Sequence, residues 1–138
     1  MTYEPHQCPI RFGLGVFGDR WSLLIVRDML LRGHTRFQDF LDADEGISTN
    51  ILTDRLRQLE TQQVISRHKD PSDGRQVIYQ LTDKGRDLLP VLLAIFVWAE
   101  KHDPETRVPP ALVDTIKTDL AATDKDTLAA VQQSIREA

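Results

Sequence analysis

Apolar residues recur at helical spacing along most of the first two thirds of the chain. The pattern predicts a short first helix over residues 9–17, a second from about 20 to 32, and a third over 36–42. Pro9 suits the first position of a helix, and Asp19 and Thr35 suit the caps that begin the next two. Gly33 suits the position just after a helix ends. The chain therefore begins with three helices joined by short connections.

A fourth helix and a hairpin are predicted next. Ser48 caps a helix that runs to about residue 63, and its apolar stripe consists of Leu52, Leu56 and Leu59. Strand-like runs follow at residues 64–70 and 76–81, separated by a Pro-Ser-Asp-Gly turn in which Gly74 can take a positive φ. A short helix, a sharp loop, a capped amphipathic helix and a hairpin are typical of a helix-turn-helix with a wing.

A fifth helix, capped by Thr82 and running over residues 83–102, is apolar nearly all round. Such a helix must be buried on more than one side, so a second chain is the natural cover for the side that the small domain leaves open. Cover by the tail of the same chain is the alternative. Pro90 lies in the second turn, where it can kink the helix locally.

The predicted fold class is mainly α with a small β-hairpin (α+β), a winged helix-turn-helix with flanking dimerisation helices. Residues 1–102 form the predicted DNA-binding and dimerisation domain. Residues 103–138 begin with a breaker-rich linker and form a C-terminal extension with two amphipathic helical segments. Leu128, Val131 and Ile135 mark the second of these segments.

Composition leaves the partner open. The net charge is −4 over 138 residues, but residues 1–86 are neutral, with 12 basic and 12 acidic residues, and residues 87–138 carry the whole excess, with 5 basic against 9 acidic. Charge therefore neither argues for nucleic acid nor excludes it. No apolar run is long enough to cross a membrane, and the N-terminus lacks a signal-peptide pattern. With one cysteine, Cys8, we expect a cytoplasmic protein.

The face of the fourth helix opposite its leucines is polar, as a helix in the DNA major groove requires. Asn50, Thr53 and Arg57 fall there and can hydrogen-bond base edges, whereas Asp54 opposes phosphates. Basic residues of the hairpin can lie along the backbone or the minor groove. The predicted DNA-binding residues are Ser48, Thr49, Asn50, Thr53, Arg55, Arg57, Arg67, Lys69 and Arg75.

The chain resembles the HxlR family of winged-helix regulators over roughly residues 8–101. The motifs that carry the resemblance include Cys-Pro at 8–9, Gly-Asp-Arg-Trp-Ser-Leu-Leu-Ile at 18–25, Arg-Phe at 36–37, Gly-Ile-Ser at 46–48 and Gly-Arg at 85–86. The resemblance implies a homodimeric transcription regulator that binds near-palindromic double-stranded DNA. It also implies an interface formed by the first and fifth helices. The predicted interface residues are Phe17, Leu89, Leu92, Leu93, Phe96 and Trp98.

Cys8 is the candidate redox-sensing residue. It precedes the first helix, whose dipole can lower the pKa of a thiol, and some members of the resembled family sense oxidants or electrophiles at this Cys-Pro position. With one cysteine, sensing needs an intermolecular disulfide, a mixed disulfide or an adduct. The alternative is a small residue packed under the helix. The aromatic residues are expected mainly in the core, and the alternative is a small-molecule effector pocket at the dimer seam, lined by Phe17, Trp21, Phe96 and Trp98.

The residues offer no constellation for catalysis. The four histidines are scattered, no metal-ligand spacing or phosphate-binding loop is present, and we expect neither a metal nor a cofactor. The sequence is compatible with three functions: a DNA-binding transcription regulator, a winged-helix protein-interaction module without DNA binding, and a small enzyme. The first is the best supported by the pattern, and the protein is expected not to be an enzyme.

Overall fold

The computed structural model describes residues 4–107, together with residues 129, 132 and 133. A short 3-10 helix, Pro5–Gln7, comes first. The elements that follow are α1 (Pro9–Phe17), α2 (Ser22–Arg32), α3 (Phe37–Leu41), α4 (Thr49–Thr61), β1 (Ile65–Lys69), β2 (Val77–Leu81), α5 (Asp83–Arg86) and α6 (Leu89–His102). Within these residues no helix is both long enough and apolar enough to cross a membrane.

The predicted order of elements is confirmed, and side-chain caps set several boundaries. The Ser48 hydroxyl accepts a hydrogen bond from the Ile51 N–H at 3.2 Å and begins α4. The helix α2 begins at Ser22 with Trp21 as its N-cap residue, so the predicted cap at Asp19 was wrong, although the Asp19 carboxylate accepts from the Trp21 and Ser22 N–H groups at 2.8 and 2.9 Å. The predicted cap at Thr35 was also wrong, because Arg36 is the N-cap residue of α3. The helix α4 ends two residues earlier than predicted, because Gln63 takes a left-handed conformation with φ 61°.

The predicted fifth helix is two helices, α5 and α6. Pro90 is the second residue of α6. It has no N–H to donate and its ring would clash with the carbonyl four residues earlier, so a continuous helix through this point is disfavoured. The sequence predicts only a kink here, whereas the structure has a break between Arg86 and Leu89.

The hairpin turn differs from prediction at Gly74. The described glycines with positive φ are Gly33 and Gly46, so the expectation for Gly74 was wrong. Carboxylates organise the turn instead: Asp70 accepts from the Ser72 N–H at 2.9 Å, and Asp73 accepts from the Arg75 N–H at 3.1 Å. These side-chain-to-backbone bonds replace the left-handed residue that many tight turns need.

One hydrophobic core lies between α2, α4, α6 and the hairpin. The predicted stripe of α4 is confirmed, since Leu52, Leu56 and Leu59 are all buried. The other buried apolar side chains are Ile25, Val26, Met29, Leu30, Leu31, Phe40, Ile47, Val64, Ile65, Leu89, Leu92 and Leu93. The core thus holds α4 by one face only and leaves its other face outward.

The hairpin is anchored to the helices at its base. Its strands pair antiparallel from Ile65 opposite Leu81 to Lys69 opposite Val77. The Tyr79 N–H donates to the carbonyl of Thr35 at 2.7 Å, which joins β2 to the segment between α2 and α3. At Gly85 a Cβ would lie 2.2 Å from the Val64 carbonyl oxygen, so α5 can approach β1 this closely only without a side chain.

The two helical segments predicted for the C-terminal extension fall largely outside the described residues. Residues 129, 132 and 133 are helical. The proposed boundary between a domain at 1–102 and an extension at 103–138 stays a prediction.

Candidate nucleic-acid interface

Burial of the leucine stripe turns a polar face of α4 outward. Asn50, Thr53, Asp54 and Arg57 are all exposed, as predicted. The Thr53 hydroxyl donates to the Thr49 carbonyl at 2.8 Å and keeps an acceptor oxygen toward solvent. Ser48 and Thr49 are exposed at the start of the helix, where backbone N–H groups and the helix dipole favour a phosphate.

Arg55 is placed differently from the other predicted contacts. Its side chain is only 27% exposed and lies with Nε 3.7 Å from the carboxylate of Asp19, just before α2. Within α4 it donates to the Gln58 side chain at 2.9 Å and lies 3.5 Å from Asp54. The contact with Asp19 links α4 to the segment that leads into α2. Its role as a DNA contact stays a prediction.

Asp19 is held ionised at this junction. Burial alone would raise the pKa of its carboxyl group, but hydrogen bonds from Ser22 and Trp21, with the nearby charge of Arg55, bring that pKa below its usual value. The ionised carboxylate therefore accepts hydrogen bonds from backbone N–H groups at the start of α2 and faces the positive charge of Arg55 of α4.

The hairpin places two cations on the side of α4. Arg67 and Lys69 share a strand face with the buried Ile65, because alternate residues of a strand point the same way. Arg67 lines a cleft together with Thr53 and Arg57 of α4. The structure thus brings Arg57 and Arg67 from separate elements to one concave surface. Glu60 lines the same cleft and opposes part of this charge.

Arg75 lies at the tip of the hairpin. Its side chain is 93% exposed, with Nε 3.3 Å from the Asp73 carboxylate. An ion pair this exposed holds a side chain weakly, so Arg75 remains available to a phosphate. The hairpin therefore carries cations both beside α4 and at its far end.

An ion pair that the sequence did not reveal fixes the hairpin to α3. The Arg36 guanidinium pairs with Asp70 at the end of β1 and donates to the Gln76 side chain at 3.0 Å. Asp70 is 6% exposed and accepts further bonds from the Ser72 N–H and hydroxyl at 2.9 and 2.8 Å. Arg36 stood out in the sequence only within the Arg-Phe motif. No pattern could pair it with a carboxylate 34 residues away.

The pKa of Asp70 lies well below its usual range. The largest cause is the hydrogen bond from Arg36, followed by the bonds from Ser72, which outweigh the opposing effect of burial. Because the folded protein favours the ionised carboxylate, protonation of Asp70 destabilises the folded hairpin.

The structure divides the predicted dimer interface. Leu89, Leu92 and Leu93 are buried in the core of their own chain, in which α6 packs against α2. Phe17 and Phe96 are half-buried, and Trp98 is 67% exposed. The apolar side chains that do reach the surface include four that the sequence prediction omitted, namely Ile10, Phe12, Leu14 and Ile95. For residues 10–17, the sequence signal of this exposed surface was that apolar residues fall on every side of the predicted helix.

Cys8 is half-buried and immediately precedes α1, where its carbonyl accepts from the Phe12 N–H at 3.0 Å. Of the residues suggested for an effector pocket, Trp21 and Phe96 pack against the core and Trp98 faces outward. Among the described residues, no three His, Cys, Asp or Glu side chains group in a way that could hold a metal ion.

A helix-turn-helix of α3 and α4, followed by an antiparallel hairpin, defines a winged-helix transcriptional regulator. Residues 16–107 match the sequence model of the HxlR-like helix-turn-helix family. The chain belongs to the HxlR family.

Relatives and solved structures agree with this assignment. The HTH-type transcriptional regulator sll1512 of Synechocystis sp. is 43% identical over 104 residues, covering 72% of this chain and 76% of that protein. The crystal structure of PA1607 matches with a TM-score of 0.67 and 39% identity, covering 77% of each chain. The redox regulator HypR in its oxidised form matches with a TM-score of 0.60 and 30% identity, over 69% of this chain and 97% of that one. The chain is therefore a transcriptional regulator of the helix-turn-helix type.

Asp70→Asn should loosen the hairpin in a pH-dependent way. The stabilisation from ionised Asp70 is present above the unfolded pKa of an aspartate, about 3.9, and is lost as the pH falls toward the lower folded value. The gap in free energy of unfolding between wild type and variant should therefore be widest at neutral pH and narrow below about pH 4. Urea titrations at a series of pH values measure this gap.

The control for this prediction is Asp44→Asn, which removes an exposed carboxylate from the loop between α3 and α4. Its stability should track the wild type at every pH. A gap for Asp70→Asn that stays constant from neutral to acid pH would show that the charge of Asp70 does not stabilise the hairpin.

Proposed function

We propose that this protein is a homodimeric, sequence-specific DNA-binding transcriptional regulator that responds to a redox or small-molecule signal. The observation that carries the proposal is the outward polar face of α4, flanked by a basic hairpin. In particular, Arg57 of α4 and Arg67 of β1 line one cleft although they come from different elements. Two cations converging on a grooved surface suit the phosphates and base edges of duplex DNA.

The geometry of α4 suits the major groove. The helix has 13 residues and begins at an exposed, capped N-terminus. Asn50 and Arg57 are the side chains best suited to read bases, because their planar groups can each make two hydrogen bonds to adenine and guanine respectively. Arg67, Lys69 and Arg75 then bind the backbone beside the groove. Because the whole chain carries a net charge of −4, binding should be modest in strength and steeply dependent on salt.

Exposed apolar surface on α1 and α6 supports the dimer. On α6, Pro90, Val91, Ala94, Ile95 and Trp98 line a shallow apolar groove on the side away from the core. Contiguous apolar surface of this kind marks an interaction site. A second copy of the chain would cover the exposed apolar residues of both α1 and α6. A two-fold dimer would set its two α4 helices about one DNA turn apart, roughly 34 Å, on a near-palindromic site.

The signal is proposed to act through Cys8. Among the similar structures are HypR, a redox regulator, and YodB of Bacillus subtilis in reduced and quinone-bound forms. YodB is 33% identical over 95 residues, covering 68% of this chain and 84% of that protein. In this chain the half-buried Cys8 adjoins α1, which carries part of the proposed dimer surface. A bond to a partner's Cys8, to a small thiol or to an electrophile would shift α1 and change the spacing of the two α4 helices.

Arg57→Ala should weaken binding to the protein's own DNA site by about 1–3 kcal/mol if Arg57 reads a base. The measurement is fluorescence anisotropy on DNA from upstream of the protein's own gene, against a scrambled duplex, at several salt concentrations. Arg107→Ala is the control, because Arg107 is exposed but belongs to neither α4 nor the hairpin.

An equal loss on both duplexes would make Arg57 a phosphate contact. Absence of wild-type binding to either duplex at low salt would reject the DNA-binding function and favour the protein-interaction module, which the net negative charge also suits.

Trp98→Ala should raise the dimer dissociation constant at least about tenfold, because a large exposed aromatic at the centre of an interface contributes strongly to binding. Sedimentation equilibrium over a range of concentrations measures the constant. Glu100→Ala, at an exposed position on the same helix, should leave it unchanged. A wild-type protein that stays monomeric at micromolar concentration would contradict the dimer.

Cys8→Ser should abolish the effect of a quinone or peroxide on DNA binding while leaving binding by the reduced protein intact. Anisotropy titrations with and without the oxidant provide the comparison, and mass spectrometry of wild type identifies the thiol product. If the serine variant still responds to the oxidant, Cys8 is a structural residue and the signal enters elsewhere.

A further inference from the structure

A residue of the C-terminal extension contacts the winged-helix domain. The side-chain amide of Gln132 donates a hydrogen bond to the carbonyl of Leu30 at 2.7 Å, across 102 residues of sequence. Gln132 is half-buried, whereas Ala129 and Gln133 are exposed. The matched family region ends at residue 107, so this contact is made by a segment outside the family domain.

The Leu30 carbonyl is available because of the way α2 ends. The helix stops at Arg32, and Gly33 takes a left-handed conformation with φ 70°. The His34 N–H, which would bond to Leu30 in a continued helix, donates instead to the Asp28 carbonyl at 3.1 Å. Leu30 is only 6% exposed, and a carbonyl at a buried helix end needs a donor from elsewhere. Gln132 supplies that donor.

The contact lies at the edge of a cleft between the end of α2 and β2. Its apolar part is formed by Met29, Leu30 and Leu81, and polar side chains border it. The full lining is Met29, Leu30, His34, Thr35, Tyr79, Gln80, Leu81 and Arg86. A segment with an apolar stripe and a polar anchor at its side would match such a surface.

The sequence around Gln132 has this character. At helical spacing, residues 128, 131, 132 and 135 fall on one face, which carries Leu128, Val131, Gln132 and Ile135. Residues 129 and 133 fall off this face, and both are exposed, while Gln132 is half-buried. The exposure of the described residues therefore matches the stripe that the sequence predicts.

We propose that the C-terminal extension docks on the end of α2 of its own chain, with Gln132 as its anchor beside the cleft between α2 and β2. The same cleft is lined by Thr35 and Tyr79, whose hydrogen bond joins the hairpin to the helices. The extension thereby restrains the base of the wing. This inference does not depend on DNA binding and can be tested without DNA.

Chemical cross-linking in the full chain tests which chain supplies the segment. In a Cys8→Ser background, cysteines replace Gln80, an exposed residue of the cleft, and Gln133, beside the anchor. A short bismaleimide should then give an intrachain cross-link, identified by mass spectrometry. The same pair carrying Gln132→Glu should cross-link several-fold more slowly, because a carboxylate cannot donate to the Leu30 carbonyl.

Hydrogen exchange on the otherwise wild-type protein gives a second measurement. Gln132→Glu should make the amides of residues 128–135 and 30–35 exchange several-fold faster. The matched control Gln62→Glu makes the same chemical change at an exposed position outside the cleft and should leave both regions as in wild type.

Three outcomes would overturn the proposal. A covalent dimer in place of the intrachain product would mean that the segment docks on a second copy. Equal cross-linking with and without Gln132→Glu would mean that Gln132 is not the anchor. Exchange in residues 128–135 as fast as in an unstructured peptide would mean that the segment does not dock.

Discussion

The leucine stripe of α4 is the constraint from which the exposed polar face of this helix follows. Leu52, Leu56 and Leu59 lie along one side of the helix, and the core buries all three. A helix advances 100° per residue, so burying this side leaves Thr53 and Arg57 no direction except outward. Rotating the helix by even one position would bury a polar side chain and expose a leucine. The same burial that stabilises the fold therefore also selects the residues that face a ligand.

The wing is fixed by a different set of contacts, and these come from α3. The Thr35 carbonyl accepts from Tyr79, while Arg36 pairs with Asp70 and Gln76 at either side of the turn. The hairpin therefore moves with the start of α3, and its relation to α4 depends on the packing of α3 against α4. A change at Arg36 would alter where Arg67 and Lys69 stand relative to Arg57, although Arg36 itself need not touch DNA.

The sequence predicts well what depends on neighbouring residues. The α4 stripe, the Ser48 and Thr82 caps and the two strands follow from spacing and local hydrogen bonding, and the structure confirms each of them. Arg57 and its exposed neighbours follow from the same periodicity. These predictions hold because each depends only on residues close together in the sequence.

What depends on tertiary contact was not predictable in this way. The pairing of Arg36 with Asp70 requires the hairpin to fold back on α3, and the position of Arg55 beside Asp19 requires α4 to lie near the segment before α2. The uniform apolar pattern of residues 88–98 could not show which side of α6 would face the core. For that reason the sequence predicts Leu89, Leu92 and Leu93 at a partner interface, whereas the structure buries them within their own chain.

The weak attachment of α1 bears on how a signal could reach DNA. None of its nine residues is buried in the single chain, although Ile10, Phe12 and Leu14 are large apolar side chains. A helix with so little intrachain cover takes its position from whatever else packs on it, and shifting it costs less than shifting a core element. A ligand or a covalent change shifts the equilibrium between two conformations only to the extent that it interacts with them with different free energies. Cys8 immediately precedes this helix, so in the proposed dimer a covalent change at Cys8 would act on a surface that is easily shifted, whereas α6 packs into the core that holds α4.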